Sequence, residues 1–203
     1  MLLSNTSHAV HSILVTSAQP GEGKTTIAIN LAASLAQLGR RTLLIDADMR
    51  CPNVQKYFPQ RGSRLSGYLA GQGPWAEMVY QTEISGLYVL LSGSPPANPA
   101  ELLSSDGMRA LIQEAKTSYD FVVLDSPPLL KVADSRILAS MVDATVLVVK
   151  GGDTPRQVIQ YAESQARSAG ANLLGVVVNN LDIRYTDFTY YAYGPSEDVS
   201  LQG

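Results

Sequence analysis

The chain is poor in several residue types, and each shortage excludes something. Among its 203 residues there is a single cysteine, Cys51. One cysteine cannot close an internal disulfide, which fits a reducing compartment. Its sequence neighbours offer nothing to create a reactive thiolate, so Cys51 reads as a bystander. The two histidines, His8 and His11, lack metal-ligand spacing and read as exposed. Charged residues make up 16%, with a net charge of -3, which argues against nucleic acid as a partner held by bulk charge. No run of about 18 apolar residues is present, so the sequence itself does not span a membrane as a helix. Residues 1–10 lack the charged start and long apolar centre of a signal peptide. The lone tryptophan, Trp75, is expected to pack rather than to act.

What is present begins with an apolar run, His11-Ser12-Ile13-Leu14-Val15-Thr16, followed by a glycine-rich stretch from Ser17 to Thr26. A short strand there enters a tight turn, and Lys24, Thr25 and Thr26 open a helix. Gly21 and Gly23 let the backbone fold so that successive N–H groups face phosphate oxygens. The helix start adds its positive end. Lys24 can reach the β- and γ-phosphates, and the Thr25 hydroxyl can sit on Mg²⁺. The strict pattern has a glycine where this chain has Ala18, so the match is to a deviant form. Ile27, Leu31, Leu35 and Leu38 follow at helical spacing, and Gly39 stands at the expected helix end. Arg41 to Asp46 is again a strand, which completes a βαβ unit.

Strand patterns recur at 12–17, 41–46, 87–91, 119–125, 143–150 and 172–179. Several are continuous apolar runs, as suits strands buried on both faces of a parallel sheet. Helical patterns fall between them. Thr154, Pro155 and Gln157 resemble an N-cap, a first-turn proline and a capping-box glutamine, with the helix ending at Gly170. Short helices are expected at 100–103 and 105–116, and an irregular segment with short helices over one sheet edge at 51–80. The fold class is therefore α/β, a doubly wound, mostly parallel sheet with helices on both faces and ligand at the carboxyl ends of its strands. Residues 1–182 read as one nucleotide-binding domain and 183–203 as a tail.

Three aspartates end strands on the rim that carries the phosphate loop: Asp46 and Asp48 after the second strand, and Asp125 after Val122-Val123-Leu124. Mg²⁺ takes oxygen ligands, usually one or two carboxylates together with phosphates and water. Asp125 is a candidate to hold it directly or through a water. Asp46 or Asp48 is placed to accept a proton from a nucleophile. The bland alternative is that one of the three, Asp48 above all, is a turn or cap residue.

These residues resemble the bacterial tyrosine kinases of capsule and exopolysaccharide synthesis, which are modified P-loop ATPases. The loop match is Ser17, Pro20, Gly21, Glu22, Gly23, Lys24 and Thr25; the second motif is Leu43-Leu44-Ile45-Asp46-Ala47-Asp48-Met49-Arg50. Val122 to Asp125, followed by Ser126-Pro127-Pro128, matches the third. Segments 65–71, 98–103 and 175–180 are also similar, and the likeness covers about residues 10–182.

The resemblance implies ATP and Mg²⁺ as cofactors. It implies autophosphorylation in trans, within a ring of like subunits, on tail tyrosines. Of ten tyrosines, Tyr185, Tyr190, Tyr191 and Tyr193 fall within nine residues. In this reading Lys24 and the loop amides neutralise the phosphates, while Thr25, Asp48 and Asp125 organise the metal. Asp46 orients or deprotonates the acceptor, and Arg50 orients Asp48 or a neighbouring subunit. Asn179 stands where relatives contact adenine, or serves as a structural cap. Implied partners are a membrane-spanning polysaccharide chain-length or adapter domain, in cis or trans, and a protein-tyrosine phosphatase. The implied location is the cytoplasmic side of the inner membrane. The family's Glu-x-x-Arg-x-x-Arg helix before the first strand is not matched, because Met1-Leu2-Leu3-Ser4 stands there. The expectation is a fragment of a longer protein or a different ring interface. The rival reading is a dimerising ATPase switch of the septum-site or chromosome-partition type. Those proteins use a lysine where this chain has Gln19.

Overall fold

The computed structural model describes residues 9–58 and 64–181. The strand β1 (Ser12–Ser17) runs through the glycine loop into helix α1 (Lys24–Gln37), which returns to β2 (Thr42–Asp46). There follow α2 (Leu65–Leu69), β3 (Tyr80–Gln81), β4 (Leu87–Leu90), α3 (Pro99–Ser104) and α4 (Asp106–Ser118). The last elements are β5 (Phe121–Asp125), α5 (Asp134–Ala139), β6 (Ala144–Lys150), α6 (Arg156–Ser168) and β7 (Leu173–Asn179). The seven strands form one sheet in the order β3-β4-β2-β5-β1-β6-β7. Every pairing is parallel except β3 with β4 at one edge.

The expected doubly wound α/β sheet is thus present, and its central strands are covered on both faces. On one face Leu14, Leu43, Val122 and Leu147 pack beneath α4, α5 and α6. On the other, Val15, Leu44, Val123 and Val148 pack beneath α1. Two-sided burial explains why these strands read as unbroken apolar runs rather than as alternation. In α4, Met108, Leu111, Ile112 and Ala115 form one buried stripe at helical spacing. Its first turn is capped by the Ser105 hydroxyl, which accepts the Met108 N–H at 3.3 Å.

Two local expectations are corrected. The deepest face of α1 is an alanine stripe, Ala28, Ala32 and Ala36, while Leu38 is 77% exposed. Small side chains let this helix lie close to the sheet, and the larger Ile27, Leu31 and Leu35 flank the contact. The start of α6 differs too. Pro155 is its N-cap residue, no side chain caps the helix, and the Thr154 hydroxyl is engaged elsewhere. The segment after Cys51 forms short helices as expected, α2 and one-turn helices at Val54–Lys56 and Trp75–Met78, and ends in the two-residue edge strand β3. Trp75 packs in the core, as expected, and its indole N–H donates to Glu114 at 2.8 Å.

A carboxylate remote from the loop holds the sheet's other end. Asp143 accepts the His11 and Ser12 backbone N–H groups and the Ser12 hydroxyl, and pairs with Lys116 at 2.6 Å. At the opposite ends of the strands, Asp46 stands in register with Asp125 across β2 and β5, and Val15 of β1 is level with Asp125 from the other side. That register gathers the chemistry at one place.

Candidate active site

The loop between β1 and α1 has the backbone that its glycines predict. Gly21 and Gly23 have φ of +83° and +89°, the left-handed region. Ala18, in place of the usual first glycine, is fully buried in the core. Lys24 begins α1, and its ammonium turns inward. It donates to Asp48 at 2.9 Å, lies 3.9 Å from Asp125 Oδ1, and reaches the Thr25 hydroxyl at 3.4 Å. Thr25 in turn donates to Asp125 Oδ2 at 2.7 Å. Residues from two strand ends and one helix start therefore converge as the sequence suggested.

The three aspartates are not equivalent. Asp46 is wholly buried, and its two oxygens accept the backbone N–H groups of Asp48 and Val54, each at 3.2 Å. It shapes the strand-to-loop turn. Asp48 accepts the Cys51 N–H with one oxygen and Lys24 with the other, and it lines a cavity of about 150 Å³. Gly21, Lys24, Arg50, Pro127 and Lys131 also border that cavity. The turn role expected of Asp48 above all is most fully developed in Asp46.

Electrostatics follow from this crowding. Burial works against charge on Lys24, but Asp125, Asp48 and Asp46 outweigh it and raise its pKa. Asp46 is pushed well above the usual carboxylate range by burial, with Asp125 and Asp48 adding to the effect. Asp125 is pushed up to about 6 by burial, against the opposing pull of Lys24 and Thr25. Its Oδ1 is buried without a hydrogen-bond partner. A cluster of three carboxylates facing one ammonium, with one oxygen left over, is short of positive charge. The hard-oxygen set of Thr25, Asp48 and Asp125 therefore fits a divalent cation such as Mg²⁺.

Within the chain, Arg50 does not bond to Asp48. Its guanidinium makes a two-pronged contact with Asp134 at 2.8 and 3.0 Å, so its partner is the first residue of α5 rather than Asp48. Nothing in the spacing of the sequence pairs residues 50 and 134; Asp134 reads only as an acid in a helix first turn. Asn179 donates its side-chain N–H to the Glu22 carbonyl at 2.9 Å, bringing the end of β7 against the phosphate loop. Pro20 and Thr26 are exposed beside that loop. Tyr185, Tyr190, Tyr191 and Tyr193, His8, and the boundary at 182–183 lie outside the described residues.

Comparison with known proteins agrees with this geometry. The AAA domain family matches residues 10–154. The tyrosine-protein kinase YwqD of Bacillus subtilis is 40% identical over 182 residues, covering 89% of this chain and 77% of that protein. The kinase domain of the Escherichia coli tyrosine kinase ETK superposes with a TM-score of 0.83 at 33% identity, over 91% of this chain and 72% of that one. The septum-site-determining protein MinD of Pyrococcus horikoshii has a TM-score of 0.70 at 24% identity, over 84% and 70% of the two chains, a likeness of fold alone. With a phosphate loop, paired strand-end aspartates and relatives of this closeness, the chain belongs to the bacterial tyrosine-protein kinases built on the P-loop fold.

Proposed function

We propose that the chain is an ATP-dependent autokinase that phosphorylates tail tyrosines of a second copy of itself, and so regulates the making and export of a capsular or exopolysaccharide. The observation that carries this reading is the convergence of Lys24, Thr25, Asp48 and Asp125 at the end of the phosphate loop. The tail cluster Tyr185, Tyr190, Tyr191 and Tyr193 supplies the acceptors. A ring of like subunits brings one tail to the next site. A membrane-spanning chain-length or adapter domain holds the ring at the inner membrane, on the cytoplasmic side, and a tyrosine phosphatase reverses the reaction. Among the described residues no helix is long and apolar enough to cross a membrane.

In the reaction the tyrosine oxygen forms a bond to the γ-phosphorus, the bond to the ADP oxygen breaks, and the phenol proton passes to a carboxylate. Lys24 exchanges Asp48 for phosphate oxygens when nucleotide enters, which frees the Asp48 carboxylate at the cavity wall. A phenol of ordinary pKa, about 10, needs such a neighbour to become a nucleophile. The burial of Asp46 and its bond to the Asp48 N–H support an orienting role, acting through Asp48, over direct proton abstraction. Thr25 and Asp125 are the residues that would hold Mg²⁺ directly, with Asp48 at the edge of its shell, and the ion would supply charge neutralisation on the phosphates. The remaining acceptor capacity of the Asn179 amide suits the adenine edge.

Mixing two variants tests transfer in trans. One carries Lys24→Met and an intact tail; the other has an intact site and Tyr→Phe at 185, 190, 191 and 193. Phosphotyrosine should appear on the Lys24→Met chain. Its absence from that chain, with wild type labelling itself normally, would overturn the trans assignment.

A further inference from the structure

Glu22 lies in the middle of the phosphate loop, yet its carboxylate turns away from the phosphate cavity. It is only 3% exposed. Oε2 accepts the Gln19 backbone N–H at 2.6 Å. Oε1 accepts the hydroxyl proton of Thr154, which comes from the loop between β6 and α6. That hydroxyl is itself fixed, because it accepts the Lys150 N–H at 3.0 Å. The Glu22 carbonyl accepts the Asn179 side-chain N–H from β7. At the next residue, a Cβ added to Gly23 would stand 2.1 Å from Asn179 Nδ2, so the loop is seated directly on that amide. One residue thus ties the loop to itself, to the β6–α6 connection and to β7.

We propose that Glu22 is a positioning residue that holds the phosphate loop in its nucleotide-binding shape before nucleotide arrives. The inference rests on the kinase reading for its purpose, but its physics concerns nucleotide binding alone. A loop with two glycines has much freedom to lose on binding. Hydrogen bonds to an ionised acceptor are stronger than neutral ones, and here they restrain that freedom in advance. Thr154 is the remote half of the same brace, which is why it does not cap α6.

The test is the affinity for MgADP, read with a fluorescent ADP analogue, in Glu22→Gln, Thr154→Val, Thr154→Ser and the Glu22→Gln/Thr154→Val pair. Simple charge repulsion predicts that removing a carboxylate beside the phosphates tightens binding. The brace predicts the opposite sign: weakening of about tenfold for Glu22→Gln and for Thr154→Val. Thr154→Ser keeps the hydroxyl and should bind within about twofold of wild type. The paired variant should fall well short of the product of the single effects. Turnover at saturating MgATP should change little in Thr154→Val, since KM rather than kcat carries the loss. Unchanged or tighter binding in Thr154→Val, with a normal melting curve, would overturn the proposal even if Glu22→Gln fails to fold. Loss of kinase activity in the wild type would not affect this readout, so the two readings fail separately.

Discussion

Gly23 carries the tightest constraint in the phosphate loop, because a positive φ and a close neighbour coincide there. Its φ is +89° and an added Cβ would meet Asn179 Nδ2 at 2.1 Å. Gly21 has φ of +83° but open space around it. Gly23→Ala should therefore weaken MgADP binding more than Gly21→Ala, because the Asn179 side chain must also move aside, whereas Gly21→Ala should cost only about 1–2 kcal/mol of backbone strain. Calorimetric titration of both variants checks the contrast. Asp143 gives a second test, on stability. Partial burial alone would raise its pKa, but Lys116 and the N–H groups of Ser12 and His11 outweigh that and hold it at about 2, below the ordinary 3.8. A depressed carboxylate stabilises the fold above its unfolded pKa, and the contribution is lost as pH falls toward the folded value. Asp143→Asn should thus cost about 2 kcal/mol at pH 7, with the gap closing between about pH 4 and pH 2. Urea unfolding across that range measures it; a gap independent of pH would refute the assignment. At this scale Lys24, Asp48 and Asp125 were legible because motif spacing carries them. Asp134 and Thr154 were not, since their partners are 84 and 132 residues distant in the chain.

At the scale of elements, burial decides what a substitution does. Ala32 lies wholly buried between α1 and the sheet, whereas Leu38 at the helix end is 77% exposed. Ala32→Leu should overpack that contact and destabilise by about 1–3 kcal/mol. Leu38→Gln should stay within about 0.5 kcal/mol of wild type. Thermal and denaturant unfolding compare the two, and a reversed order would contradict the packing described. The sequence pattern had Leu38 on the apolar face because spacing reports periodicity and not how far the sheet extends beneath it. The core strands were readable for the opposite reason: β1, β2, β5 and β6 are enclosed on both faces, so they carry continuous apolar runs. β3, with two residues, and α5, with six, are too short to show a period. They are shaped by contacts that only the folded chain supplies.

For the whole molecule, the sheet order sets the function. It places β1 between β5 and β6, with β2 beyond β5, so the phosphate loop and the ends of two aspartate-bearing strands meet on one rim. The α/β class and the position of the rim followed from alternating patterns and strand-end aspartates. The division of labour between Asp46 and Asp48 did not, because both lie at the end of the same strand and both are buried; their partners separate them, backbone N–H groups for Asp46 and Lys24 at the cavity wall for Asp48. The most direct test of the kinase account is intact mass after incubation with MgATP, for wild type and Lys24→Met, followed by peptide mapping. The account predicts steps of one phosphate in wild type alone, mapping to Tyr185, Tyr190, Tyr191 or Tyr193. ATP turned over to ADP with no phosphate on any tyrosine, even with an N-terminally extended chain, would contradict it and favour a nucleotide-driven switch.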